Sequence, residues 1–255
     1  ELQPLDRLLR ISREEGLLSS QQNSKALLRG IAHEVKNPLG GLRGAAQLLA
    51  RELDDPRLHD YTNIIIEEAD RLRNLVDNML GPNKMPNQLP TNIHEVLERV
   101  RQLVEVEGGE ELSIIRDYDP SIPDIIGDRE QLIQAVLNIV RNALQALKQS
   151  PPEDGAQITL RSRTLRQFTI GSHRHRLVCR VDIIDNGPGI AEDVQETLFY
   201  PMVSGRASGT GLGLSIAQSI ISQHQGLIEC ESQPGETVFS ILLPMEQLDE
   251  TEKPT

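Results

Sequence analysis

Tryptophan is absent from this chain of 255 residues, and only three tyrosines and three phenylalanines occur. A platform for single-stranded nucleic acid needs rings on which bases stack, so that function class is excluded. The two cysteines, Cys179 and Cys230, are too few for a disulfide framework and fit a reducing cytoplasm. No apolar run approaches the roughly 18 residues of a membrane span, and no signal peptide opens the chain. Basic charge is also short: 26 Lys and Arg against 38 Asp and Glu leave a net charge of −12. Nucleic-acid phosphates demand clusters of Lys and Arg, so this balance speaks against a wrapping role. With rings scarce, Leu, Ile, Val and Ala must build the core, which suits helix packing. The chain opens at Glu1 rather than Met, as a fragment would, and an upstream domain is expected.

What is present divides into segments. Residues 1–23 carry Leu5, Leu8, Leu9 and Ile11 at loosely helical spacing and read as a linker helix entering a larger element. Over 24–80, Leu28, Ala32, Val35, Leu39, Leu42, Ala46 and Leu49 alternate steps of three and four. After the Asp54-Asp55-Pro56 break, Leu58, Ile65, Ala69, Leu72, Val76 and Met79 continue the same pattern. Both are heptad seams, and a two-helix hairpin alone has a thin core. Pairing two hairpins into a four-helix bundle buries both seams, so a homodimer is expected. Residues 81–91 hold three prolines and no periodicity, which marks a linker. Residues 92–245 change texture. Helices are expected over Asn92–Glu107, from a capping box at Asp128 and Gln131 to Gln149, and over Leu212–Gln225. Strands are expected at Leu112–Tyr118, Gln157–Thr164, Leu177–Asp185, Leu227–Ser232 and Thr237–Leu243. This predicts an α+β chain: a dimeric helical hairpin, then an α/β sandwich with helices on one face of a sheet. The acidic tail 246–255 reads as disordered.

Three motifs in the second half point to a nucleotide. Asn138 and Asn142 lie four apart on a helix, so both amides leave one face, where their oxygens suit a hard cation such as Mg²⁺. Asp185-Asn186-Gly187-Pro188-Gly189 follows a strand; a carboxylate there can accept from an exocyclic amine, and glycines admit a flat base. Gly209-Thr210-Gly211-Leu212-Gly213 opens a helix whose free N–H groups and positive end suit phosphate. Between these two, Leu198–Ser208 reads as a mobile lid with Phe199 as an anchor and Arg206 in reach of phosphates. Each motif alone has a bland reading: a solvated helix face, an ordinary turn, a glycine-rich turn.

His33 is the remaining feature. It follows the seam residue Ala32, which places it at the edge of the bundle, open to a large donor. A neutral imidazole is a fair nucleophile toward a γ-phosphoryl group, and the adjacent Glu34 can steady the charge that forms. Asn37 lies one turn on, where its amide can position a water, and Pro38 removes a backbone donor and should bend the helix. Other histidines read blandly: His173 and His175 in a solvated loop, His59 and His94 on exposed faces, and His224 at a helix C-terminus that favours positive charge. Cys179 and Cys230 share the inward parity of their strands and read as small core residues.

The N-x-x-x-N helix, D-x-G-x-G turn and G-x-G-x-G helix start together resemble the GHKL ATP-binding superfamily of histidine kinases, gyrase-type ATPases, Hsp90 chaperones and MutL proteins. The resemblance implies a GHKL-type sandwich with ATP under a lid and Asn142 on Mg²⁺. It also implies Asn138 in the metal or phosphate shell and Asp185 on the adenine amine. Gly187 and Gly189 would shape the base pocket, and Gly209, Gly211 and Gly213 would cradle phosphates, with Thr210 and Leu212 in the same loop. With H-E-x-x-N-P at His33–Pro38, the chain resembles two-component sensor histidine kinases, specifically their nitrogen-regulation branch. The segments carrying that match are HEVKNPLGGLRGAAQLL (33–49), IIEEADRLRNLVDNMLGP (65–82), RDYDPSIP (116–123), FYPMVSGR (199–206) and GTGLGLSIAQ (209–218). The resemblance implies a PAS sensor preceding residue 1 and transfer from His33 to an aspartate of an NtrC-like receiver. It further implies a PII-type signal protein that shifts the balance toward phosphatase. One departure stands out. Many such kinases carry Lys where Gln145 stands, so phosphate charge must rest on Mg²⁺, the glycine amides, and Arg206 or Arg141. Hydrolytic relatives carry Glu at the position of Asn138, and an amide cannot take a proton from water. A hydrolytic ATPase and a nucleotide-binding scaffold without turnover are therefore the alternatives, and transfer is the expected reaction.

Overall fold

The computed structural model describes residues 34–53, 55–79, 86–109, 111–195, 197–200 and 211–245. They fall into two compact units, one before and one after the Asn83–Lys84 boundary. No helix among the described residues is long and apolar enough to cross a membrane. The reading of the tail 246–255 and of residues 1–23 lies outside the described residues, as do His33, Arg206, Gly209 and Thr210.

The first unit is a helical hairpin of α1 (residues 34–52) and α2 (Pro56–Met79). Helix α1 runs through Pro38, which has no N–H to offer the Glu34 carbonyl one turn earlier. At the turn, the Arg57 N–H donates to Asp55 Oδ1 at 3.0 Å. Pro56 opens α2, where its missing donor costs nothing. His59, expected on an exposed face, is half-buried instead, with Nε2 2.9 Å from the Leu53 carbonyl. The carbonyls at the end of α1 need donors, and the ring supplies one. Arg43 on α1 pairs with Asp70 on α2 at 2.9 Å.

Burial splits the expected seam in two. Leu39 and Ala46 on α1, and Thr62, Ala69 and Val76 on α2, are buried at heptad spacing. The other heptad set, Val35, Leu42 and Leu49 with Leu58, Ile65 and Leu72, stays 37–58% exposed. One chain therefore covers half of its apolar stripe. Covering the rest is worth roughly 1 kcal/mol per side chain, half the figure for full burial.

The second unit has element order β1 (Leu89–Thr91), α3 (Ile93–Gly108), β2 (Leu112–Asp117), β3 (Ile125–Gly127), α4 (Arg129–Gln149), β4 (Ala156–Ile170), β5 (His173–Asp185), α5 (Glu192–Gln195), α6 (Gly213–Gln223), β6 (Leu227–Gln233) and β7 (Glu236–Pro244). Five strands form a mixed sheet in the order β2-β4-β5-β7-β6, with β2 and β4 parallel and the remaining pairs antiparallel. The parallel pair has α4 as its crossover. Helices α3, α4 and α6 bury their apolar stripes, including Val96, Val100, Leu132, Ile139 and Ile220, while Ile158, Leu160, Val181, Ile183 and Ile241 are buried in the sheet.

Two departures concern strands. Leu89–Thr91, expected inside the linker, pairs antiparallel with Ile125–Gly127, and Thr91 Oγ1 donates to the Gly127 carbonyl at 2.9 Å. Strands β4 and β5 extend to a turn at Gly171 and Ser172, so His173 and His175 lie in a strand rather than a loop, with His175 buried. Charged residues mask this extension in the sequence, but Leu165 and Phe168 pack on a cluster of Ile170, Val178, Leu227 and Leu242. On the same open side of the sheet, Asp117 accepts from Arg161 at 2.8 Å and from Arg163 at 2.7 Å, and these bonds hold its carboxyl below the usual range.

Asp128 caps α4 as expected: Oδ1 accepts from the N–H groups of Glu130 and Gln131. The reciprocal arm of the expected capping box is replaced, because the Asp128 N–H donates to His224 Nε2 at 2.9 Å. That nitrogen must carry a lone pair, so Nδ1–H donates to the Ile220 carbonyl at 2.8 Å and the buried ring is neutral. The expectation of a positive His224 is thereby corrected. The ring ties the end of α6 to the start of α4. His224→Leu leaves the Asp128 N–H without a partner, at roughly 1–3 kcal/mol, while the Ile220 carbonyl keeps the backbone N–H of residue 224. The midpoint of urea unfolding should fall accordingly, and an unchanged midpoint would contradict the bond. His94, also expected on an exposed face, is half-buried; its Nε2 lies 2.9 Å from Ser162 Oγ and its ring stacks on Tyr118 at 5.2 Å. Burial lowers its pKa, opposed by the charge of Asp119.

Candidate nucleotide and phospho-acceptor sites

Asn138 and Asn142 are both partly exposed on α4, and Gly213, the first residue of α6, faces Asn138: a Cβ at that glycine would lie 3.9 Å from the Asn138 Cβ. That is an ordinary van der Waals distance, so the helix start and the amide are neighbours with room to spare. The Asn138 Nδ2 is buried without a hydrogen-bond partner. Opposite it, α6 begins with no side-chain cap, and Gly211 sits at φ 64°. The first N–H groups of a helix need acceptors, and none comes from a capping side chain. An orphaned amide beside an uncapped helix start is a site lacking acceptors, the kind of site that phosphate oxygens can fill. Leu212 contributes backbone only: its side chain is buried, and its carbonyl accepts from Ile216 N and Ser215 Oγ.

The fit to Mg²⁺ follows from the donor types. Two amide oxygens add no charge, and no group of three or more His, Cys, Asp or Glu that could hold a metal occurs among the described residues. Such a set suits a hard cation that arrives with phosphate oxygens and keeps waters.

At the other end, Asp185 closes β5 and is 4% exposed. Its Oδ1 accepts from Gly187 N at 3.0 Å. A Cβ at Gly187 would come within 2.6 Å of that Oδ1. Asn186 clamps the turn to the start of β4: its Nδ2 donates to the Gly155 carbonyl at 2.9 Å and its Oδ1 accepts from Gln157 N at 2.8 Å. Gly189, at φ 83°, lies so close to the β6–β7 turn that a Cβ would sit 2.8 Å from the Gln233 carbonyl carbon. The Gly235 N–H donates to the Gly187 carbonyl at 2.9 Å. In this way the turn is seated on both sides. Ser232 Oγ accepts from Ile190 N at 2.9 Å and lies 2.8 Å from Thr237 Oγ1, and Thr237 pairs in register with Asp185. Sequence reading missed Asn186, Ser232 and Thr237. Only the helix-facing parity that Ser232 and Thr237 share with Cys230 and Phe239 signals them.

Cys230 is half-buried rather than core; burial, then the nearby charges of Asp185 and Glu231, push its thiol up to about 12. Burial likewise raises Cys179 to about 12. Both thiols are therefore poor nucleophiles. Phe199 meets Phe239 edge-on at 6.5 Å, and residues 201–208 of the expected lid lie outside the described residues. Arg141, one of the two arginines expected to offset the absent lysine, is bound elsewhere: its guanidinium pairs with Glu107 on α3, Nε donating at 3.0 Å, and the pair holds the Glu107 carboxyl below its usual range. In the first unit, Glu34 and Asn37 are exposed on α1 one turn apart.

Residues 24–88 match the His Kinase A (phospho-acceptor) domain, and residues 127–247 match the family of histidine kinase-, DNA gyrase B-, and HSP90-like ATPases. Over 245 residues the chain is 55% identical to the sensory histidine kinase/phosphatase NtrB of Vibrio alginolyticus, covering 96% of this chain and 69% of that protein. The NtrB of Rhodobacter capsulatus is 40% identical over 243 residues, covering 92% of this chain and 66% of the other. Among solved structures, histidine kinase ThkA in complex with the response regulator protein TrrA superposes with a TM-score of 0.54 at 25% identity, covering 94% of this chain and 66% of that one. The catalytic domain of ThkA gives 0.52 at 26% identity, covering 62% of this chain and 96% of that one.

Proposed function

The chain belongs to the NtrB sensory histidine kinase/phosphatases, and from that premise we propose that His33 is the residue it phosphorylates. The activity is that of an ATP-dependent protein-histidine kinase with phosphatase activity, working as a homodimer with a response regulator as partner. Asp185 accepts from the adenine amine, and Gly187 and Gly189 leave room for the ring. The start of α6 at Gly211–Gly213, with Gly209 and Thr210 before it, holds the phosphates. Asn138 and Asn142 offer amide oxygens to Mg²⁺, which when bound neutralises phosphate charge. Arg206 is the remaining candidate cation for the phosphates, now that Arg141 is bound to Glu107.

The transfer step balances simply. A ring nitrogen of His33 forms the P–N bond, the bond from the γ-phosphorus to the β–γ bridging oxygen breaks, and ADP leaves. Glu34 takes the imidazole proton. Such a step is mostly positioning and electrostatics. Asn37, exposed one turn past His33, holds the water that attacks the receiver's phospho-aspartate. The observation that supports transfer over hydrolysis is the amide at position 138, which cannot act as a base toward water. The exposed heptad set from Val35 to Leu72 supports the homodimer, since a second hairpin supplies its missing cover. The receiver is proposed to be NtrC-like, and a PII-type protein to set the balance of the two activities.

Incubation with γ-labelled ATP should give acid-labile label on the chain, and an NtrC-type receiver should then take it up. Steady phosphate release without labelled protein would favour the hydrolytic reading instead. Asn37→Ala should keep autophosphorylation and lose most phosphatase activity toward the phosphorylated receiver; retention of both would remove Asn37 from the mechanism.

A further inference from the structure

We propose that Gln195 is a positioning residue that fixes the turn from Asp185 to Ile190 and so sets how well the site reads a nucleotide base. The inference rests on the assignment of Asp185 as the base-reading group. Helix α5 is a single turn hung on this loop, with the N–H groups of Val194 and Gln195 donating to the Ala191 carbonyl at 3.0 and 3.1 Å. From it the Gln195 carboxamide reaches back: Nε2 donates to the Ile190 carbonyl at 2.8 Å and to the Ser232 carbonyl at 3.2 Å. Ile190 is thus held at both ends of its backbone, its N–H by Ser232 Oγ at 2.9 Å and its C=O by Gln195. The other end of the turn is fixed by the bond from Gly235 N to the Gly187 carbonyl at 2.9 Å.

The chemistry of position 195 is specific. Two carbonyls converge on one nitrogen, and a primary amide brings two N–H donors and no charge. A carboxylate of the same shape would bring none and would face two carbonyl oxygens. With the clamp gone, Gly189 can lift from the Gln233–Pro234 backbone, and the Asp185 carboxylate, anchored to Gly187 N in the same turn, is no longer fixed. Neither hydrogen bond of the Gln195 side chain reaches α4 or α6, the described elements of the phosphate end.

That separation gives the test, performed on the full chain by displacement of a fluorescent ATP analogue. Two competitors are used, Mg-ATP and Mg-tripolyphosphate, the second having no base. Gln195→Glu should weaken ATP about tenfold, the effect of losing two bonds of ordinary strength, and leave tripolyphosphate within about twofold. Gln195→Ala should fall between the wild type and Glu. Autophosphorylation at saturating ATP should persist in both, so that KM moves and kcat does not. Ser232→Thr, which keeps the hydroxyl acceptor for Ile190, should bind ATP like the wild type, whereas Ser232→Ala should not. ATP affinity unchanged in both Gln195 variants overturns the proposal, and so does equal weakening of ATP and tripolyphosphate, which would mark a general structural role. Were wild-type protein to bind tripolyphosphate as tightly as ATP, the base reading by Asp185 would fall first.

Discussion

With alanine at His33, label from γ-labelled ATP should drop to background, while the ATP affinity of the second unit stays within about twofold of wild type. The proposed nucleophile is lost outright, so no partial effect is expected. The proposed nucleotide pocket is built from α4, the Asp185–Ile190 turn and the start of α6, and no residue of the helical hairpin belongs to those elements. A sharper form of the experiment mixes two inactive variants. Chains with His33→Ala and chains defective in the ATP site should recover labelling if subunits exchange and one chain's ATP site serves its partner's His33. Recovery requires a dimer, which the exposed Val35, Leu42, Leu49, Leu58, Ile65 and Leu72 set favours. Undiminished label in the His33→Ala protein would move the acceptor to another residue.

Gly189→Ala should be the most damaging change within the proposed ATP site. Two effects add there. The backbone stands at φ 83°, which L side chains rarely adopt, and the new Cβ would lie 2.8 Å from the carbonyl carbon of Gln233 and 2.9 Å from Pro234 N. These are backbone atoms, which cannot turn aside as a side-chain tip can. The strain alone is of order 1–3 kcal/mol, and the contact adds to it. Where that cost falls on the bound state, ATP affinity drops by about a hundredfold, at 1.4 kcal/mol per factor of ten. Gly155→Ala is the control, because φ there is 87° but nothing lies within 4 Å of the added Cβ. It carries the strain without the clash. Equal losses of ATP affinity in the two variants would mean that the seating of Gly189 on the β6–β7 turn does not matter.

Much of this was legible in the sequence wherever one residue type or one period decides the outcome. The Asp128 cap, the heptad seams and the helical stripes of α3 and α4 are local, and the structure has them within a residue or two of expectation. The D-x-G-x-G turn and the paired asparagines could be placed because each motif sits at the end of a regular element. What escaped depends on partners distant in the chain. His224 reads as a surface cap until its 96-residue reach to Asp128 is known. Arg141 reads as a free cation until Glu107, 34 residues away, is seen to hold it. Strands β1 and β3 are three residues each, too short for a period to show. The clamp of Gln195, Ser232 and Ile190 joins a helical turn to a strand end, and neither segment announces it. The seam shows a different limit: the spacing marks every apolar position alike, yet within one chain only alternate heptad positions are covered.

The measurement that bears most directly on the central claim is localisation of the phosphoryl group after a brief reaction with Mg-ATP. Phosphopeptides should be prepared at alkaline pH, where phosphohistidine survives, and sequenced by mass spectrometry. One acid-labile phosphate is expected, on the imidazole of His33, formed with the release of one ADP and transferable to an NtrC-type receiver. An acid-stable phosphate on Ser or Thr, or ATP consumed with free phosphate as the sole product, would contradict it.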